Sequence, residues 1–333
     1  MRGLQLNETG AAVRDDLAEP EGRAGWSTVA VTLAGVCATD IALSKGYMGF
    51  SGIPGHEFVG RALDGPFAGQ RVVGEINAGC GSCDRCVNGD PRHCSTRTVL
   101  GILAHSGAFA ERLSLPNHNL LLVPDSVSDD AASFAEPLAA ALAISEAVDI
   151  APGTRALVAG DGRLGLLCAH ALHWAGAAVT VAGRHNERAA LLPEGVPLVT
   201  GLLEGSADQN NDAGADANAN ASNEPFALAV EATGNPDVLD QLVPRMAPQG
   251  TIVLKTTSER PLQLDTALIV VNELRLVGSR CGRFAPALQL LADGAVPVEA
   301  MVQARYPLAQ ADAALAHAAR PGVLKVLVDI AAT

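Results

Sequence analysis

The chain has 333 residues, of which 48% are hydrophobic and 18% charged, with a net charge of −13. That length supports two domains and a large buried core, and the acidic balance disfavours nucleic acid and anionic membrane surfaces, both of which repel it. No apolar run approaches the ~20 residues of a membrane span, and residues 1–10 lack a charged-then-apolar leader, so the expected setting is the cytoplasm, where thiols stay reduced.

The first third reads as β-rich. Residues 27–33 and 71–76 cluster or alternate apolar side chains between Gly and Pro punctuation. Cys37 falls in Gly35-Val36-Cys37-Ala38-Thr39-Asp40, and His56 and Glu57 follow Pro54-Gly55. Cysteine and histidine are good zinc ligands, and three protein ligands with one open position make a zinc ion catalytic. Alone, a His-Glu pair is a weak signal. A stronger one follows in the lobe 79–95. Cys80, Cys83, Cys86 and Cys94 place four thiols in one short loop, which suits a closed, structural zinc shell. An iron–sulfur cluster or disulfides are the other readings of those four residues. The chain holds seven cysteines, and an odd total in a reducing compartment argues for metal over a disulfide framework. Gly79, Gly81 and Gly89 let the backbone turn tightly around the ion. His93 could compete as a ligand, but four thiolates already complete the shell.

Near Leu138 the pattern changes. Apolar residues take helical spacing over 138–148, with Glu136-Pro137 at the start, where proline and an acid both suit a first turn. Strand and helix then alternate: strands at 155–159, 178–182, 226–231, 251–254 and 274–277, and a helix at 164–175. Continuous apolar strands alternating with helices predict a buried parallel sheet. Gly160-Asp161-Gly162-Arg163-Leu164-Gly165 joins the first of these strands to its helix. In that context Gly160 serves the tight turn, Gly162 lets the backbone approach a pyrophosphate, and Gly165 allows close helix–strand packing, while the helix start favours the anion. The next strand ends in Gly183-Arg184-His185, where an acid would bind the ribose of NAD. Its replacement by Gly183, with Arg184 beside it, favours NADP over NAD. Arg163, Leu164 and Thr233 complete the cofactor candidates. Residues 204–224 are polar and low in complexity, with five acids and no base, and are expected to be a disordered insertion. The tail predicts a helix at 285–292, extended chain at 301–306, a helix at 309–319 and a last strand at 324–330. Cys168 reads as packing, and Cys281 carries no assigned role.

In this order and spacing the motifs resemble the medium-chain dehydrogenase/reductase superfamily, in its zinc-dependent alcohol dehydrogenase-like branch, from Val29 to Ile330. His56-Glu57 and Glu136-Pro137-Leu138 bring the chain nearest in motif to glucose and polyol dehydrogenases. The resemblance implies an α/β fold: a GroES-like β-rich catalytic domain (1–140 and 281–333, with the zinc lobe 79–95) and a Rossmann doubly wound parallel-sheet domain (141–280). It implies two zinc ions per chain and hydride transfer between NAD(P) and a small alcohol, polyol or sugar, or the matching carbonyl. Cys37 and His56 would bind the catalytic zinc, Glu57 would bind it or its water, and Glu136 would complete or exchange within that shell. Thr39 would relay the substrate proton and Asp40 would orient His56. Related enzymes often carry a histidine that passes the proton onward; here that position is Ala42, so the proton leaves through Thr39, the cofactor ribose and water, or through another residue. A small-molecule substrate and a homodimer or homotetramer are the implied partners. Two other readings stand beside this one: an amino-alcohol (threonine-like) or pathway-specific dehydrogenase, and a cofactor-binding protein without turnover.

Overall fold

The computed structural model describes every residue except 9, 204–223, 259, 261–263, 265 and 332–333. The insertion expected at 204–224 therefore lies, but for Glu224, outside the described residues. Among the described residues no helix is long and apolar enough to cross a membrane. The chain divides into two compact units, Met1–Ala139 with Arg283–Thr333, and Ala140–Gly282.

The first unit is built on a mostly antiparallel sheet. Its strands run in the order Val302–Pro307, Lys325–Asp329, Trp26–Gly35, Glu57–Ala62, Arg71–Gly74 and Leu120–Leu122, with Arg112–Pro116 paired to the first half of Trp26–Gly35. In Trp26–Gly35 alternate residues are buried, as the two-residue side-chain period of a one-sided strand demands. The register sets Gly35 opposite Glu57 on one side and opposite Leu327 on the other. That glycine thus lies between the strands of Glu57 and Lys325.

The second unit is a six-stranded parallel sheet in the order Leu198–Thr200, Ala178–Gly183, Arg155–Ala159, Phe226–Glu231, Met246–Leu254 and Arg275–Gly278. Parallel strands are covered on both faces, and Ala156, Leu157, Val158 and Ala159 are accordingly all fully buried. The strand order reverses beside Arg155–Ala159, which creates the switch point where such sheets bind ligands. The helix Arg163–Trp174 follows that strand directly. The expected helix over 138–148 starts earlier and is divided: Ala135–Leu142 and Ile144–Ala147 are separated by a turn at Ala143. The strand expected at 251–254 extends back to Met246.

Candidate metal centres and cofactor loop

The four lobe cysteines converge: their sulfurs lie within 4.8 Å of one another. Zinc–sulfur bonds of ~2.3 Å place the corners of a tetrahedron roughly 3.8 Å apart, and Cys80 Sγ stands 4.0 Å from Cys86 Sγ. Backbone N–H groups already point at the sulfurs. Cys83 N–H donates to Cys80 Sγ at 3.4 Å and Cys80 N–H to Cys94 Sγ at 3.5 Å. Hydrogen bonds from Ser82, and then from Cys83, pull the Cys80 thiol down to about 5. A Cβ on Gly79 would come within 2.6 Å of Cys86 Sγ, so only glycine fits there. The donor set and its spacing fit zinc.

The second cluster comes from two elements. Cys37 caps the start of the helix Ala38–Ser44, and Glu57 opens the strand Glu57–Ala62 with His56 just before it. One ligand atom from each of Cys37, His56 and Glu57 lies within 4.8 Å of the others. Asp40, fully buried, ties the two segments together. Its carboxylate accepts from the N–H of Cys37 at 2.8 Å and of Gly55 at 3.0 Å, and stands 3.4 Å from His56 Nδ1. Nδ1 turned to Asp40 leaves Nε2 as the coordinating nitrogen, the arrangement in which a carboxylate orients a metal-binding imidazole. Burial pushes the His56 pKa down, but the charges of Asp40 and Cys37 outweigh it and hold the imidazole well above its ordinary range. Thr39, half-buried, places its hydroxyl 3.9 Å from Cys37 Sγ. Glu136, in the first turn of Ala135–Leu142, is not a member of this cluster.

Sequence reasoning missed one residue here. Lys325 is fully buried and forms an ion pair with Glu57, which is equally buried. Its ammonium also lies 4.8 Å from the centre of the Phe134 ring. A Cβ on Gly35 would meet Glu57 Oε2 at 2.7 Å, so this glycine opens the space for the pair. The available signal was a lysine heading an otherwise apolar strand segment, KVLV.

In the second unit the glycine loop takes the form expected of it. Gly160 has φ +111°, a conformation that L side chains rarely adopt. A Cβ on Gly165 would meet the Gly160 carbonyl carbon at 2.8 Å, whereas one on Gly162 would face open space. The loop thus offers a close helix–strand contact and an open backbone edge, which fits a dinucleotide pyrophosphate at the start of Arg163–Trp174. Leu164 follows Arg163 in the first turn of that helix. Thr233 sits past the end of Phe226–Glu231, where its N–H and hydroxyl both donate to Glu231 Oε1 at 2.7 Å. The end of Ala178–Gly183 differs from the sequence expectation. Gly183 carries no acid, yet the carboxylate of Asp161 lies against it and accepts from the N–H of Arg184 at 2.7 Å.

The Alcohol dehydrogenase GroES-like domain family matches residues 23–125, and the Zinc-binding dehydrogenase family matches residues 164–293. The chain is 30% identical over 327 residues to D-altritol 5-dehydrogenase of Agrobacterium fabrum, covering 93% of this chain and 94% of that protein. It is 26% identical to L-threonine 3-dehydrogenase of Streptomyces coelicolor, over 94% of each. A solved structure from Sinorhizobium meliloti, described as a zinc-binding dehydrogenase bound to NADP, shares the fold with a TM-score of 0.83 over 99% of both chains, at 25% identity. Matches in both units, and a relative similar along nearly the whole length, establish that the chain belongs to the zinc-dependent medium-chain dehydrogenases and is an NAD(P)-dependent oxidoreductase.

Proposed function

We propose that the protein interconverts a polyol or sugar alcohol and its carbonyl, with NADP preferred over NAD and two zinc ions per chain. The observation that carries this reading is the convergence of Cys37, His56 and Glu57 around one point, with buried Asp40 fixing the first two. The 30% identity to a D-altritol 5-dehydrogenase supports the substrate class. Met1–Ala139 with Arg283–Thr333 would form the catalytic domain and Ala140–Gly282 the cofactor domain.

Cys37, His56 and Glu57 would hold the catalytic zinc, which when bound supplies Lewis acidity to the substrate oxygen. Gly160–Gly165, Arg184 and Thr233 would hold NADP, which when bound would supply the hydride acceptor. The chain does the rest. Asp40 keeps the His56 ring in one orientation. Lys325 offsets the buried charge of Glu57. The Thr39 hydroxyl takes the substrate proton and passes it to solvent, since Ala42 offers no titratable group. A role for Glu136 requires it to move into the cluster. Cys80, Cys83, Cys86 and Cys94 would hold the second, structural zinc. The setting is cytoplasmic and the assembly a homodimer or homotetramer.

A panel of polyols, aldoses, simple alcohols and threonine, each with NADP and with NAD, tests this through the appearance of reduced nicotinamide. Turnover of a polyol with NADP preferred is expected. Preferential turnover of threonine, the reading favoured by the Streptomyces relative, would replace the polyol assignment. Cys37→Ser is expected to abolish turnover while the circular dichroism spectrum is retained, and full activity in that variant would sink the catalytic zinc assignment.

A further inference from the structure

Asp161 belongs to the glycine loop, yet its side chain reaches the turn after Ala178–Gly183. Oδ2 accepts from the N–H of Arg184 at 2.7 Å, from the N–H of His185 at 2.8 Å and lies 3.0 Å from His185 Nδ1. Buried Arg188 donates to the Asp161 carbonyl at 2.9 Å and lies 3.3 Å from Oδ1. Asp161 is only 5% exposed, so the carboxylate is turned inward. Backbone donors and a guanidinium offset its charge, and the same bonds keep its pKa low against the burial that pushes it up.

Two consequences follow from this geometry. A Cβ on residue 183 would lie 2.6 Å from both Cβ and Oδ2 of Asp161. Asp161 therefore excludes a side chain from the strand end, the place from which an acid reaches the ribose of NAD. The carboxylate is already engaged by the N–H groups of Arg184 and His185, and turning it toward a ribose would give up those bonds. Arg184 is in a different position. Its backbone is pinned by Asp161, and its side chain is exposed and pairs with no carboxylate among the described residues.

The geometry points to Asp161 as the positioning residue for dinucleotide choice: it keeps the strand end free of an acid and clamps the turn so that Arg184 is presented to a ribose 2′-phosphate. This rests on the NADP reading above. With Arg188 paired to the carboxylate, the Arg184 guanidinium is the group the turn offers to a phosphate, and its fork suits a dianion.

Calorimetric titration of the zinc-loaded full chain with 2′,5′-ADP and with 5′-AMP separates phosphate recognition from adenosine binding. The wild type is expected to prefer 2′,5′-ADP. Asp161→Asn is expected to weaken 2′,5′-ADP about tenfold, the size of one lost charge-assisted contact, and to leave 5′-AMP unchanged. Gly183→Ala, which pushes Asp161 off the turn without altering its charge, should do the same and covers the case of a poorly folded Asp161 variant. Combining Asp161→Asn with Arg184→Ala should add nothing beyond Arg184→Ala alone, because both act on one contact. Tighter binding of 2′,5′-ADP by Asp161→Asn would show that the carboxylate repels the phosphate and overturn the proposal. Equal weakening of both probes would reduce Asp161 to scaffold and overturn it too. A wild type that binds 5′-AMP as tightly as 2′,5′-ADP sinks the NADP reading itself, whereas a discriminating wild type matched by an equally discriminating Asp161→Asn sinks this proposal alone.

Discussion

Glu57 and Lys325 show how much one buried charge depends on its partner. Both side chains are fully buried and paired, and Gly35 supplies the space between their strands. Removing one member of such a pair strands the other in a low dielectric. Lys325→Met keeps the volume and deletes the ammonium, and is expected to cost about 3–5 kcal/mol of stability, read from chemical denaturation of the zinc-free protein. A loss within error would mean that Glu57 is protonated or solvated there. Asp161 gives a second residue-level expectation, with a sign set by its low pKa. Its folded value lies below the reference 3.8, so its stabilising contribution is present above the usual carboxylate range and fades as pH falls through the depressed value. Wild type should therefore lose stability faster than Asp161→Asn on acidification below about pH 4, with the two unfolding midpoints converging. A constant difference down to the acid limit would contradict the assignment.

At the scale of elements, the cysteine lobe is a loop held by its sulfurs more than by apolar packing. Its only helical pieces are Asp84–Val87 and the turn Pro91–His93. Metal binding then supplies folding free energy directly. Elemental analysis should find two zinc ions per chain, falling to one in Cys86→Ser, with a lower thermal midpoint and the Cys37 cluster still loaded. Two ions retained in Cys86→Ser would show that the lobe is not the second site. These motifs were legible in sequence because metal ligands and glycine turns demand fixed residue types at fixed spacing. The parallel strands were legible for a related reason: burial on both faces leaves continuous apolar runs such as 156–159. Lys325 and Asp161 were not legible. Each acts across a long sequence separation, on Glu57 and on the Arg184 turn, and only strand register reveals the contact. The Asp161 contact also changes the meaning of Gly183: its lack of a side chain is a steric requirement of the neighbouring loop as well as an absent acid. Glu136 illustrates the converse, since its place at a helix start was read correctly while the structure leaves it out of the Cys37 cluster.

For the molecule as a whole, the parallel sheet ends at Arg275–Gly278, which pairs only with Met246–Leu254 among the described residues. An edge strand offers unpaired N–H and C=O groups and invites association unless it is blunted or covered. Beside it, the helix Ala267–Val271 exposes Val270 at 72% and Val271 at 76%, and Leu276 on the strand itself is 37% exposed. Apolar side chains gathered near an open edge are typical of a surface buried in an assembly. With a chain mass of 34.0 kDa, sedimentation equilibrium should return at least twice that value for the zinc-loaded protein. The net charge of −13 opposes self-association at low ionic strength, so the contact should strengthen as salt screens it. Val271→Asp together with Leu276→Lys places charges into that surface without touching the ligand clusters or the glycine loop. The double variant should sediment as a monomer, keep its circular dichroism spectrum and still bind 2′,5′-ADP. If it stays oligomeric, the assembly uses another face; if the wild type is already a monomer across the salt range, the oligomer itself is excluded.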